Sequence, residues 1–293
     1  MPAISVQKPS PKLKAPLTTK SKGGGVLERI LPLGESLEDG YKIILYGDTA
    51  TGKTTTWATW PGPILAIICS GGFKPGELRS VNTVENRTKI DTVTLNQASE
   101  MKTILDNAHK LGKTYKTFVL DHVTGLQDLA LKDVMNLDEL PPQKSWGFAT
   151  REDYGAATLM TKEYLRSLLN LPGHVIIIGQ ERVFGGKSEE SGDDAIGVAT
   201  IGVAVTPSLS KWLNPACDYI LQHFKRRKMI QRKVKVGNQE IVKLEPTNEI
   251  EYCARCEPHE VYSTKFRVPK GRKLPDVIVN PTYEKIHAVI QGG

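Results

Sequence analysis

The chain is expected to fold as α/β, with a mainly parallel sheet covered by helices on both faces and an antiparallel extension toward its C-terminus. Three observations lead there. Short, near-continuous apolar runs such as KIILY, ILAII and HVIII alternate with segments of helical spacing, and strands without a polar face belong in a sheet buried on both sides. Beyond residue 215 the helical segments give way to closely spaced strand-like runs, which can only pair as hairpins. At 293 residues, with 39% hydrophobic and 24% charged residues, the chain can bury a sizeable core and is neither collagen, coiled coil nor wholly disordered.

Residues 1–25 hold four prolines, five lysines and no acid. Such a segment cannot bury apolar surface and is expected to be a disordered basic arm, with the folded domain spanning 26–293. Tyr41–Tyr46 reads as the first buried strand, followed by Pro63–Cys69 and a weaker Thr92–Leu95. Gln97–Leu111 places Ala98, Met101, Ile104, Leu105 and Ala108 at helical spacing. Thr117–Asp121 is a strand ending in a carboxylate, Val123–Met135 and Glu152–Leu171 are helices, and His174–Gly179 is a further buried strand. Cys217–Phe224, Met229–Val236, Gln239–Leu244, Ile250–Cys256 and Val261–Val268 read as strands of a hairpin extension over about 217–268, with Gly237-Asn238 as a turn signal. Pro281–Ile290 closes the chain as a helix.

No run of about 18 apolar residues occurs and the N-terminus lacks an apolar signal region, so a cytoplasmic, non-membrane protein is expected. Four cysteines do not make a disulfide scaffold. The net charge of +7 is concentrated: residues 1–25 carry +5 and residues 225–235 carry +7, leaving −5 on the rest. Concentrated positive charge points to a polyanionic partner, the plain alternative being a solvated tail and hairpin.

Gly47-Asp48-Thr49-Ala50-Thr51-Gly52-Lys53-Thr54 matches the P-loop pattern at every required position, between a strand and a helix. Glycines let backbone amides wrap a phosphate. Lys53 would reach the β and γ phosphates of ATP, Thr54 would offer its hydroxyl to Mg2+, and Thr55 completes the nucleotide-binding stretch. Asp121, about 70 residues on, stands where P-loop proteins place the carboxylate of the magnesium shell. Gln180, at the tip of the His174–Gly179 strand, is a candidate γ-phosphate sensor. His122 stands where a P-loop ATPase of the AAA+ kind would carry a glutamate base, which argues against that subclass. Lys144, Trp146, Phe148 and Arg151 interleave aromatics with cations in one long loop, a pattern suited to single-stranded nucleic acid or to rings tucked under a loop. Lys225, Arg226, Arg227 and Lys228 head the basic segment. Cys253, Cys256 and His259 offer three possible metal ligands on a segment that also reads as a strand feeding a hairpin.

The P-loop, the strand ending in Asp121 and the HVIIIGQER strand occur in RecA-like order. With YGAATLMTKEYLRSLLNLPGHVIIIGQER and the later YSTKFRVPKGRKLPD and NPTYEKI, the chain resembles phage-encoded RecA-like P-loop NTPases, including the RecA-like single-strand annealing proteins of phage recombination, over roughly residues 40–290. The resemblance implies ATP binding, assembly into a homo-oligomeric ring or filament, and single-stranded DNA held by two long loops, Asn136–Tyr154 and the glycine-rich Arg182–Thr206. A single-stranded DNA-binding protein as a further partner, and the host cytoplasm as location, would follow. It also implies that Lys265 and Arg267 form a Lys-x-Arg finger reaching a neighbouring subunit's γ-phosphate; on residues alone they are two cations on one face of a strand. The chain departs from the pattern in one place: Ser70 stands where a carboxylate usually activates water, and Glu77, Glu85 and Glu181 are the substitutes at hand. Two other readings remain open, a nucleotide-binding interaction protein with little hydrolysis and a P-loop kinase of small metabolites.

Overall fold

The computed structural model describes residues 40–70, 76–137, 149–185, 199–236 and 239–292, all within one compact unit, Glu38–Gly293. The basic arm 1–25 lies outside the described residues. The elements run β1 (Lys42–Gly47), α1 (Lys53–Ala58), β2 (Ile64–Ile68), a 3-10 helix (Gly76–Val81), α2 (Val84–Lys89), β3 (Ile90–Thr94), α3 (Glu100–Asp106), α4 (Ala108–Thr114), β4 (Thr117–Asp121) and α5 (Val123–Met135). Then come α6 (Arg151–Leu169), β5 (His174–Gly179), β6 (Glu181–Phe184), β7 (Thr200–Val203), α7 (Pro207–Ala216), β8 (Tyr219–Val236), β9 (Gln239–Arg255), β10 (Lys265–Phe266), β11 (Val277–Val279) and α8 (Tyr283–Gln291).

Among the described residues the main sheet has the order β11-β9-β8-β1-β5-β4-β2-β3, with β10 beside β8. The six strands from β3 through the start of β8 are parallel, and β9, β10 and β11 are antiparallel to their neighbours. The expected α/β architecture with an antiparallel C-terminal extension is therefore present. Because strand side chains alternate, each strand feeds two cores. Ile44, Tyr46, Phe118, Leu120, Val175 and Ile177 pack under α3, α5, α6 and α7. Ile43, Leu45, Ile64, Val119, Ile176 and Leu221 pack under Trp57 of α1 and Ile286 and Ile290 of α8.

Local chemistry sets the helix ends. Thr150 and Asp153 form a reciprocal capping box at the start of α6, and Asn136, at φ 51°, ends α5 in the left-handed conformation. The expected helix over 97–111 breaks at Asn107, whose side chain donates to the Thr103 carbonyl at 2.9 Å and so competes with the helical backbone. Helix α7 escapes a sequence reading because it contains Pro207 and Pro215. Pro207 sits in the first turn, where a missing N–H costs nothing.

The hairpin also differs from expectation. The four expected strands merge into two long ones, paired from Gln222↔Arg255 to Val236↔Gln239 with one register shift between Arg227 and Met229. The charged run 225–228 and Pro246 look like breaks, but a two-stranded ribbon can solvate charges on both faces, and a proline is tolerated on an edge. Of the expected strand Val261–Val268 only Lys265–Phe266 is one, and β11 was not anticipated. The Gly237-Asn238 turn lies outside the described residues.

The two helices α5 and α6 run parallel: Gln127 reaches Thr158 at 3.5 Å, and the Asp133 charge bears on Tyr164. Both helices therefore begin at the carboxyl edge of the sheet, where β1, β4 and β5 end.

Candidate functional site

The site starts where β1 stops. Gly47 pairs with His223 of β8, and its φ is 153°. A Cβ added to Gly47 would lie 2.1 Å from the His223 carbonyl oxygen, so only glycine fits this approach. The loop then closes on itself: Asp48 Oδ1 accepts from the Thr49 amide at 2.6 Å and the Asp48 carbonyl accepts from Thr51 Oγ1 at 2.8 Å. Ala50 (φ 58°) and Gly52 (φ 84°) turn the chain into α1. Tyr252 of β9 packs over Gly52, its ring 3.3 Å from where a Cβ on that glycine would stand.

Lys53 folds back over this loop, donating to the carbonyls of Gly47 at 2.8 Å and Asp48 at 2.7 Å. Burial lowers its pKa, against the opposing pull of Asp121, Asp48 and Glu181. Asp121 is buried at the end of β4 and accepts from Trp57 Nε1 of α1 at 3.3 Å. The P-loop lysine and the β4 carboxylate thus share one environment. The donor set fits a nucleoside triphosphate with magnesium: a desolvated cation and curled amides for phosphate, the hard oxygens of Thr54 and Asp121 for the metal. Bound there, magnesium would neutralise phosphate charge.

Three further groups line the same edge. Gln180, exposed at the end of β5, accepts through its backbone carbonyl from the Ala204 amide at 2.8 Å. Glu181 is half-buried and accepts from Gln222 Nε2 at 3.4 Å. His223 is fully buried, and the Thr51 backbone bears on its ring. Burial and then the nearby Lys53 charge push its pKa from 6.5 down to about 3, so the ring is neutral beneath the P-loop. Sequence reasoning missed Gln222, His223 and Tyr252 because no motif marks them. Only strand register brings them to the loop.

His122, where a glutamate base was considered, caps α5: its Nδ1 accepts from the Gly125 amide at 2.9 Å. Arg151 opens α6 and is exposed, at the carboxyl edge by the parallel packing of α5 and α6. Lys144, Trp146 and Phe148 lie outside the described residues.

Lys265 and Arg267 stand at the opposite edge. Lys265 Nζ donates to the carbonyls of Asn214, Pro215 and Cys217, the last at 2.6 Å, capping the C-terminal end of α7. Arg267 pairs with Asp218 at 2.8 Å and also donates to the Pro215 carbonyl. The register Lys265↔Ile220, against Gly47↔His223, keeps both cations away from their own chain's P-loop.

The basic segment has acids the sequence reading left out. Arg226 pairs with Glu251 at 3.0 Å, Lys228 with Glu249 at 2.8 Å and Arg232 with Glu245 at 3.2 Å. These pairs share one face of the ribbon. The register puts Lys225↔Tyr252, Arg227↔Ile250, Met229↔Pro246, Gln231↔Leu244 and Lys233↔Val242 on the other. There Ile250 is 53% and Leu244 58% exposed, and Lys225 and Arg227 make no ion pair among the described residues.

Cys253 and Cys256 are buried thiols; burial raises both pKa values, that of Cys256 to about 12. His259 Nδ1 accepts from the Val261 amide at 3.0 Å. Among the described residues no group of three or more His, Cys, Asp or Glu is placed to hold a metal. No described helix is long and apolar enough to cross a membrane.

The AAA domain family matches residues 39–268, and the chain belongs to it. This corrects the expectation that His122 sets the chain apart from AAA-type ATPases: the position is occupied by a helix cap, and membership does not turn on it. Among solved structures the chain is similar to the flagellar accessory protein FlaH from Methanocaldococcus jannaschii, at 8% identity and a TM-score of 0.37 over 84% of this chain and 86% of that one. It is also similar to the RadB recombinase, at 18% identity and a TM-score of 0.38 over 74% of this chain and 87% of that one. No curated protein matches. The family, the P-loop geometry and the strand order make this a RecA-like P-loop ATPase fold built to bind nucleotide.

The buried histidine has a pH consequence. An unfolded chain takes up a proton at His223 near 6.5, and the folded chain does so only near 3. Stability present at pH 7 is therefore lost as pH falls below 6.5, with a limiting slope of about 1.4 kcal/mol per pH unit. Urea unfolding at pH 7.5 and 5.0 is expected to show a larger drop for the wild type than for His223→Gln; equal drops would mean that the ring is protonated or rehydrated in the native state.

Proposed function

We propose that the chain is an ATP-hydrolysing, RecA-like protein that binds single-stranded DNA and acts in DNA recombination or replication by strand annealing or exchange, as phage-encoded proteins of this kind do. One observation carries the reading. β8 runs beside the P-loop at Gly47↔His223 and continues into Lys225 and Arg227, so the strand that flanks the nucleotide loop and the cation-bearing ribbon are one continuous element. A kinase of small metabolites has no use for such a ribbon. The face carrying Lys225, Arg227, Tyr252 and exposed aliphatics pairs phosphate-seeking cations with surfaces on which bases can rest. The ion-paired face has its charge answered from within. Arg151, exposed at the same edge, extends the path, and Lys144, Trp146 and Phe148 are kept as candidate DNA contacts on their residue types alone.

ATP with Mg2+ is the nucleotide, held by residues 47–55 and Asp121, with Gln180 sensing the γ-phosphate. Lys265 and Arg267 serve a second subunit's phosphate in a ring or filament, the Arg267–Asp218 pair being exposed enough to exchange.

Among the described residues the Lys53 side chain hydrogen-bonds carbonyls of its own loop, so Lys53→Ala is expected to fold while losing roughly 10- to 100-fold in ATP affinity, since hydrogen bonds to charged groups are worth about 1.5–3 kcal/mol. Unchanged affinity in a nucleotide titration would sink the P-loop assignment. For DNA, each phosphate contact lowers log K by about 0.7 per decade of salt. Replacing Lys225 and Arg227 by Gln should cut that slope by about 1.4, while the same change at Arg226 and Lys228 should cut it by less. Equal slopes for all three proteins would place DNA elsewhere. Arg267→Ala should keep single-subunit ATP binding and lose turnover, and mixing it with Lys53→Ala should restore some sites. A normal rate for Arg267→Ala alone would leave Arg267 as a cap on α7.

A further inference from the structure

The missing base after β2 leaves hydrolysis without an obvious proton acceptor. Ser70 occupies that place, and a serine hydroxyl at neutral pH needs a base of its own. Of the substitutes, Glu85 sits on α2, which leads into the amino end of β3 paired at Ile64↔Ile90. That is the edge away from the P-loop. The Glu77 side chain lies outside the described residues. Asp121 is bonded to Trp57 and positioned for magnesium, and Asp48 is folded onto the Thr49 amide.

Glu181 differs from all of these. It follows Gln180 directly at the tip of β5, the strand between β1 and β4, and so stands between the lysine strand and the Asp121 strand. Its charge bears on both Lys53 and Tyr46. It makes no ion pair among the described residues; its partner is the Gln222 amide at 3.4 Å. Arg255, which faces Gln222 in the register, holds its guanidinium between the rings of Phe224 and Tyr262, 5.0 and 4.8 Å away, and not on Glu181. A half-buried carboxylate, oriented by a neutral amide beside the phosphate lysine and in no ion pair among the described residues, is placed to accept a proton from water.

We infer that Glu181 is the general base of the ATPase reaction, an assignment that rests on the nucleotide-binding reading above. The water oxygen bonds to the γ-phosphorus while the bond from that phosphorus to the β–γ bridging oxygen breaks. ADP leaves with that electron pair, the water proton passes to a Glu181 carboxylate oxygen, and inorganic phosphate is released. Gln222 is a positioning residue that aims the carboxylate.

The test compares wild type, Glu181→Gln and Gln222→Met, each titrated with a non-hydrolysable ATP analogue and assayed for single-turnover ATP hydrolysis with single-stranded DNA present. Glu181→Gln keeps the shape and the contact to Gln222 but cannot accept the proton. It should bind the analogue within about threefold of wild type and hydrolyse at least about 100-fold more slowly, the usual span for a lost general base. Gln222→Met should fall only partway. A normal rate for Glu181→Gln overturns the assignment. So does an equal loss in Gln222→Met, which would make Glu181 a strut for Gln222, and so does a wild type that binds the analogue yet does not hydrolyse ATP. A wild type that fails to bind the analogue overturns the nucleotide reading and takes the base with it, and the titration tells the two failures apart.

Discussion

The approach of β1 to β8 at Gly47↔His223 is the constraint on which the site depends. The backbones meet so closely that a single added carbon would collide with a carbonyl oxygen. Because they meet there, the P-loop leaves the sheet at a fixed place, Lys53 finds the loop carbonyls, and β8 carries on past the P-loop as the first strand of the ribbon. A buried His223 ring is the cost of that meeting, a polar group taken out of water.

The rest of the site follows from strand order. With β5 between β1 and β4, the residues at its tip fall between the lysine and the carboxylate. Gln180 and Glu181 arrive there by topology. The C-terminal segment closes the other side of α1: Thr56 Oγ1 donates to the Pro281 carbonyl and the Tyr283 amide donates to Thr59 Oγ1. A chain segment over 200 residues away in sequence thereby holds the helix that holds the P-loop lysine.

Much of this was legible in the sequence. The P-loop could be read because its chemistry demands particular residues at fixed spacing, and β4, α5 and β5 because their apolar patterns are uninterrupted; all three have the bounds expected. The ribbon's length was not legible. Its charges look like strand breaks until Glu251, Glu249 and Glu245 are seen to answer Arg226, Lys228 and Arg232 from the partner strand, a pairing that register alone reveals. Helix α7 hid behind its prolines. The cluster of Glu181, Gln222 and His223 joins residues from two strands separated in sequence by about 40 positions, and no local pattern signals such a meeting.

The 18 residues of β8 span about 60 Å at some 3.3 Å each, of which only the first few are flanked by β1. Farther out, the ribbon has backbone donors and acceptors along both margins that no described strand satisfies. Such margins invite stray strands to add on and seed aggregates. The charge-dense sequence answers this hazard: Lys225 through Lys228, Arg232 and Lys233 against Lys243, Glu245 and Glu249 make an intruding apolar strand pay in desolvation at nearly every step, while Pro246 removes one donor and the register shift at Arg227 spoils a flat template. The charged residues thus act as gatekeepers along the ribbon's margins, guarding a long strand pair against stray additions.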